Sequence, residues 1–254
     1  MRKSTRSLAL GSTKEPDASN QVRDEWLRRV EAEYHSCAFA HHLTLWLIQI
    51  GASPDLITAG FAIAADELAH AQLSHEVFIA AGGAGQPRLA RERLQLPHDA
   101  SVPLEHNVLR ACIELFCLGE TVAVPLFKEL RQRATVPIAR TALDRVLVDE
   151  VRHRDFGWTL LGWLLSTSDS PSLRKLAQEE LPAMLDRLWT SYGQSAEARA
   201  NAERAEPELT AQDCTWGLMP TAIYEAVLRR TFTRDFSPRF ARLEISCPPP
   251  PRFE

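Results

Sequence analysis

The chain has 254 residues, a hydrophobic fraction of 45% and a formal net charge of −4. It is long enough to bury a sizeable core, and it lacks the basic excess typical of nucleic-acid binding. No stretch approaches the roughly 18 apolar residues that suggest a membrane span, and the apolar run at residues 8–10 is too short for a signal peptide. The five cysteines are unclustered, which indicates reduced thiols and a cytoplasmic protein.

Two helices are predicted in the first third of the chain, after a polar segment over residues 1–20 that we expect to be disordered. Apolar residues spaced by threes and fours predict a helix from near Asp24 to Gly51. Gly51 suits a helix end, Ser53 an N-cap and Pro54 a first turn, so a second helix follows at once and runs to about Ala81. Residues 82–103, rich in glycine and proline, predict a long connection.

Two further helices are predicted after that connection. One runs from about Leu104 to Ala134, with Pro125 predicting a kink or bulge just after Glu120. A short break at residues 135–137 opens the next helix, which runs to about Ser166. The connections are therefore short, long and short, which predicts an all-α fold: an antiparallel four-helix bundle with a long crossover between helices 2 and 3.

The remaining third of the chain is predicted to add helices to the same domain. Residues 171–192 form an amphipathic pattern, residues 193–215 are polar and loop-like, and a last helix is expected from Trp216 to about Arg234. We predict one domain over 21–254, with the bundle over 24–166, a helical extension over 171–240 and a proline-rich tail over 247–254.

One motif, Asp-Glu-x-x-His, occurs twice, at residues 66–70 and 149–153. Each copy places a glutamate and a histidine three residues apart on one helix face. The preceding helix carries a glutamate on its apolar stripe in both cases, Glu33 and Glu120. A single Glu-x-x-His is often an ordinary surface pair, but two copies with paired glutamates favour a buried cluster.

Four carboxylates in a dry bundle core require compensation, because an unpaired buried charge is costly. Two divalent cations would provide it, and oxygen and nitrogen ligands suit iron or manganese better than a thiolate-type zinc site. The predicted ligands are six side chains from four helices: Glu33, Glu67, His70, Glu120, Glu150 and His153.

These motifs resemble those of the ferritin-like di-iron carboxylate superfamily, and the resemblance covers residues 24–166. It implies a ferritin-like bundle with two iron ions, although Mn/Fe and di-manganese centres use the same ligands. It also implies that Glu67 and Glu150 bridge the metals while Glu33 and Glu120 bind one metal each.

Three charged residues are candidates for supporting the ligands. A histidine that binds a metal usually has its other ring nitrogen held, and Asp66 and Asp149 are placed to do this. Arg152 is a candidate partner for such an aspartate. The alternative for all three is an ordinary solvated position on a helix face.

Four residues near the glutamates are candidates for a substrate pocket: Cys37, Phe116, Cys117 and Val124. Cys37 lies one helical turn after Glu33, and the other three flank Glu120. Each is equally compatible with core packing.

Two functions are compatible with these patterns. The first is an O2-dependent di-iron oxygenase or oxidase that hydroxylates, N-oxygenates or desaturates a small organic substrate, with a separate electron donor. The second is a ferroxidase, an iron-handling protein or a peroxide-detoxifying ferritin relative. The paired histidines and the C-terminal extension favour the enzyme, since the extension is placed to form a lid or pocket wall. It is equally suited to form a homodimer interface.

Overall fold

The computed structural model describes residues 17–201 and 209–248, without the side chains of residues 192–201 and 221. The described residues form helices and no strands. Residues 1–16 of the predicted disordered segment and residues 249–254 of the predicted tail lie outside this range. In the described part of the chain no helix combines the length and apolarity needed to cross a membrane.

The first two helices, α1 (Asn20–Gln49) and α2 (Pro54–Ala80), form an antiparallel hairpin. The start of α1 lies beside the end of α2, where Arg23 donates to the Ala81 carbonyl oxygen at 3.2 Å. α1 begins four residues earlier than predicted because the Ser19 hydroxyl accepts a hydrogen bond from the Val22 amide at 3.2 Å and caps the helix. Glu33, Glu67 and His70 all lie on the buried faces of this hairpin.

The third helical rod contains a distortion that positions the site. It consists of α3 (Leu104–Ala111), a nine-residue π-helical segment (Cys112–Glu120) and α4 (Thr121–Arg133). The sequence predicted a bulge just after Glu120, but the π segment precedes Glu120 and ends at it. Pro125 lies five residues beyond this end and lacks the amide hydrogen that the helical ladder needs there.

The fourth long helix, α5 (Pro137–Leu164), packs antiparallel to both α2 and the third rod. Gly157 allows the close approach to the π segment, because a Cβ atom there would lie 2.4 Å from the Phe116 Cβ and 2.8 Å from its carbonyl carbon. The Cys112 thiol donates to the Gly157 carbonyl oxygen at 3.3 Å across the same contact. Glu150 and His153 lie in the middle of α5, on its buried face.

The C-terminal extension covers the third rod and the beginning of α1. It contains α6 (Ser170–Asn201), α7 (Ala211–Thr215), α8 (Thr221–Thr231), a second π segment (Phe232–Phe236) and α9 (Ser237–Arg242). Arg110 of α3 forms a double hydrogen bond with Glu180 of α6, with N–O distances of 2.7 and 2.9 Å. The Trp26 indole donates to the Trp216 carbonyl oxygen at 3.0 Å.

The predicted loop over residues 193–215 is wrong at both ends. α6 continues to Asn201, and residues 211–215 form α7, where Thr210 and Asp213 build a capping box. Polar composition indicated a loop, but it equally fits an exposed helix, so composition did not distinguish the two. The long connection after α2 has the expected irregular backbone, apart from a single 3-10 turn at Arg91–Arg93.

Candidate metal centre

The six predicted ligands lie close together between the long helices. Two groups of side chains each bring their oxygen and nitrogen atoms within 4.8 Å of one another, and Glu67 belongs to both. The first group comprises Glu33, Glu67, His70 and Glu150, and the second comprises Glu67, Glu120 and His153. All of these side chains are buried except Glu120, which is half-buried.

The glutamates of the two repeated motifs lie between the histidines. Glu67 places Oε2 3.4 Å from His70 Nδ1 and Oε1 3.1 Å from His153 Nδ1. Glu150 places Oε1 3.8 Å from His70 Nδ1 and Oε2 3.6 Å from His153 Nδ1. Each of these carboxylates therefore presents one oxygen to each histidine. Glu33, in contrast, approaches only His70, with an O–N distance of 3.8 Å.

Four buried polar atoms in this cluster have no hydrogen-bond partner among the described residues: the Nδ1 atoms of both histidines and one oxygen each of Glu67 and Glu150. Unpaired polar atoms are costly in a buried site. The ligand atoms lie within 4.8 Å of one another in each group, so the residues present fit a metal ion bound by carboxylate and imidazole groups.

The aspartates of the two motifs hold the histidines crosswise. His70 on α2 donates from Nε2 to Asp149 on α5 at 3.1 Å, and Asp149 is fully buried. His153 on α5 lies 3.4 Å by its Nε2 from Asp66 on α2, a longer and weaker contact. With Nε2 engaged in this way, each ring directs the lone pair of Nδ1 toward the glutamates.

Two arginines neutralise the aspartates at the outer edge of the site. Arg152, a predicted partner, lies 2.9 Å from Asp66 and 2.6 Å from Asp149. Arg145 also contacts both aspartates and was not predicted. Its position four residues before Asp149 on the same helix is a recognisable ion-pair spacing, which was the available signal.

The pKa values follow from this arrangement of charges. Burial and the neighbouring Glu67 carboxylate raise the pKa of Glu33 well above its usual value, and burial and Glu150 do the same for Glu120. Burial also raises the pKa of Glu150, and this effect is larger than that of the hydrogen bond with Glu120, which acts to lower the pKa. For Glu67 the two neighbouring histidines, His153 and His70, overcome the effect of burial and lower the pKa to about 2. Glu67, which lies between the histidines, is therefore the glutamate whose ionised form this arrangement favours.

A cavity of about 340 Å³ adjoins the cluster, between α1 and the third rod. All four glutamates of the cluster line one side of it, and Phe39, Phe116 and Phe127 are among the apolar residues of its walls. Tyr224 from α8 also lines it. The extension therefore contributes to the wall, as one of the alternatives for this region predicted.

Of the four predicted pocket residues, only Phe116 lines the cavity. Cys117 is fully buried in the hydrophobic core, and its pKa is raised well above the usual value by burial. Val124 is half-buried and outside the cavity wall, whereas Val122, Leu126 and Leu130 on the same helix are buried. Cys37 is half-buried and outside the cavity wall, and burial and the Glu67 charge raise its pKa.

Among the cavity residues that the sequence analysis missed are Arg29 and Tyr224. Arg29 lies four residues before Glu33, so the same helical spacing that identified Glu33 placed it on the buried stripe. Tyr224 offered no signal, because its position depends on how the extension packs.

No protein-family model matches the chain, and a search of curated proteins finds no significant similarity in sequence.

Proposed function

We propose that this chain is a ferritin-like, non-heme di-iron oxygenase or oxidase that uses O2 to oxidise a small organic molecule. The observation that supports it most directly is the placement of Glu67 and Glu150, each with one oxygen toward each of two buried histidines. The proposed fold is the ferritin-like four-helix bundle formed by α1, α2, the third rod and α5.

The chain's own groups have separate roles in this proposal. Glu67 and Glu150 would hold both metal ions, while Glu33 would complete the group beside His70 and Glu120 the group beside His153. Asp149 and Asp66 orient the two rings and keep the proton on Nε2, which leaves Nδ1 free to bind. Two ferrous ions bound there would supply the reducing electrons for O2 and the oxidising power for the substrate.

The remaining residues control access to the centre. The buried core around His70 and His153 excludes water from one side of the cluster. The adjoining cavity, with its aromatic walls, supports an organic substrate over a purely iron-handling role. An external electron donor belongs to the proposal, because oxygen insertion consumes electrons that the substrate does not supply. A homodimer remains a prediction.

The test is anaerobic loading of the metal-free protein with Fe(II), followed by addition of O2 with spectra and oxygen uptake recorded. We expect about two irons per chain in the wild type, and clearly fewer in Glu67→Ala and Glu150→Ala, since each removes a ligand shared by both positions. Glu76→Ala, an exposed glutamate on the same helix as Glu67, is the matched control and should bind as the wild type does.

Two results would change this conclusion. Binding of well under two irons by the wild type, with no further loss in Glu67→Ala or Glu150→Ala, would refute the di-metal centre. Turnover through many irons per chain, with formation of mineral and a large protein shell, would favour the iron-handling alternative.

A further inference from the structure

Arg29 is a buried cation in the wall of the cavity, with only 5% of its surface exposed. Its Nε donates to Glu25 at 3.0 Å, and its Nη2 donates to the Gly217 carbonyl oxygen at 2.8 Å. The guanidinium carbon lies 4.4 Å from the centre of the Trp26 ring. These contacts hold the group rigidly, and Nη1 has no hydrogen-bond partner among the described residues.

Arg29 shares its acidic partner with a second arginine. Glu25 is its only ion-pair partner among the described residues, and Glu25 is shared with Arg28, whose Nη2 lies 2.8 Å away. The other acidic residue of the cavity beyond the metal cluster, Glu114, is paired with Arg187. The Nη1 group of Arg29 therefore keeps hydrogens that no described acceptor takes up, at a residue that lines the cavity.

We propose that Arg29 binds the carboxylate of the organic substrate through Nη1 and holds the rest of the molecule toward the metal cluster. This inference rests on the proposed function, since it names the substrate class of that same site: a small aliphatic or aromatic carboxylic acid. A guanidinium nitrogen and a carboxylate form a strong, charge-assisted hydrogen bond, and burial strengthens it further.

The position of Arg29 suits this role. It precedes Glu33 by four residues on α1, and four residues of helix span roughly 6 Å along the axis. A molecule anchored at Arg29 would reach the cluster within a few bonds, along the apolar side chains of Phe39 and Phe127. A carboxylate fits better than a phosphate, because a dianion is repelled more strongly by the four nearby glutamates.

The test compares hexanoate with hexanamide, which have the same shape and differ in charge. Binding to the metal-free full chain is measured by NMR titration. We expect hexanoate to bind about tenfold more tightly than hexanamide. This preference should vanish in Arg29→Gln and persist in reduced form in Arg29→Lys. Arg131→Gln is the matched control, because Arg131 pairs with Asp144 away from the cavity and its loss should leave the preference intact.

A second measurement gives the orientation of the bound acid. In the Mn(II)-loaded protein, paramagnetic broadening should affect the terminal methyl group of hexanoate more than the methylene next to its carboxylate. The opposite order, with the carboxylate on the metal, would overturn the proposal.

The metal-free titration and the Mn(II) measurement distinguish a failure of the proposed function from a failure of the Arg29 inference. Absence of Mn(II) binding would count against the proposed function, while the metal-free comparison would still decide the role of Arg29. Equal binding of acid and amide, or no binding of hexanoate at millimolar concentration, would overturn the inference. Because that comparison is made in the wild type, it holds even if the Arg29 variants fold poorly.

Discussion

Replacing Asp149 by asparagine should weaken metal binding on the His70 side of the centre. Asp149 is fully buried, accepts from His70 at 3.1 Å and is the shared partner of Arg145 and Arg152. These ionic contacts outweigh the cost of burial and lower its pKa. Asparagine keeps the shape and an acceptor oxygen but loses the charge that makes the imidazole a better ligand.

The expected loss of affinity follows from these contacts. Substitution of a residue that orients a metal ligand typically costs 10–100-fold in affinity. Because asparagine can still accept from His70, we expect about tenfold for Asp149→Asn, which equals about 1.4 kcal/mol, and closer to a hundredfold for Asp149→Ala. Asp66→Asn should have a smaller effect on the His153 side, since its contact is longer, at 3.4 Å, and its side chain is 15% exposed.

The assay is an anaerobic titration with Co(II), whose absorption bands report on histidine ligation, in competition with a chelator of known affinity. Asp155→Asn provides the control, because Asp155 lies on the same helix with a side chain that is 56% exposed. The reasoning fails if Asp149→Asn binds both metals within twofold of the wild type, or if Asp155→Asn loses as much affinity. Thermal unfolding of each variant checks that the fold is retained.

Two further predictions concern packing and pH. Gly157→Ala forces a methyl group against the backbone of the π segment and should destabilise the protein by about 1–3 kcal/mol. Gly162→Ala is the control and should be neutral or stabilising, because a Cβ there would meet no atom within 4 Å. Thermal unfolding measures both variants, and equal losses of stability would contradict the contact at Gly157. Three of the four cluster glutamates have raised pKa values: Glu33, Glu120 and Glu150. These three groups stabilise the folded, metal-free protein at pH values below their usual pKa of 4.5. That stabilisation is lost as the pH rises through their raised pKa values. Glu67, with a pKa of about 2, contributes stability above 4.5 and loses it only as the pH falls toward 2. The melting temperature of the metal-free protein should therefore fall as the pH rises above 4.5. Metal loading should release protons, and the stabilisation by metal should increase in the same direction. A metal-induced shift independent of pH would contradict these assignments.

Local sequence was sufficient to predict most of the helices and the six clustered side chains. The spacing of apolar residues located α1, α2 and α5, because periodicity is a property of neighbouring residues. Glu33 and Glu120 could be selected from other acids because they interrupt an apolar stripe. Val124 lies outside the cavity wall, because closeness to Glu120 in sequence does not tell which side of the helix faces the cavity.

Other features depend on contacts between distant parts of the chain. The crosswise pairing of Asp66 with His153 and of Asp149 with His70 requires α2 and α5 to lie antiparallel at one particular register, and either aspartate alone fits an exposed helix position equally well. The cavity depends on Tyr224 and on the Gly217 carbonyl that holds Arg29, both from the extension.

The sequence by itself determined the apolar stripes of the long helices and the chemistry of the glutamates and histidines on them, since helical periodicity and residue type are local properties. Only the tertiary structure decided how the doubled Asp-Glu-x-x-His motif is used. It placed one oxygen of Glu67 and of Glu150 toward each histidine, and it enclosed a cavity beside them that also includes Arg29. The physical reason is that distances between side chains on different helices depend on the packing register, which the sequence pattern of a single helix does not contain.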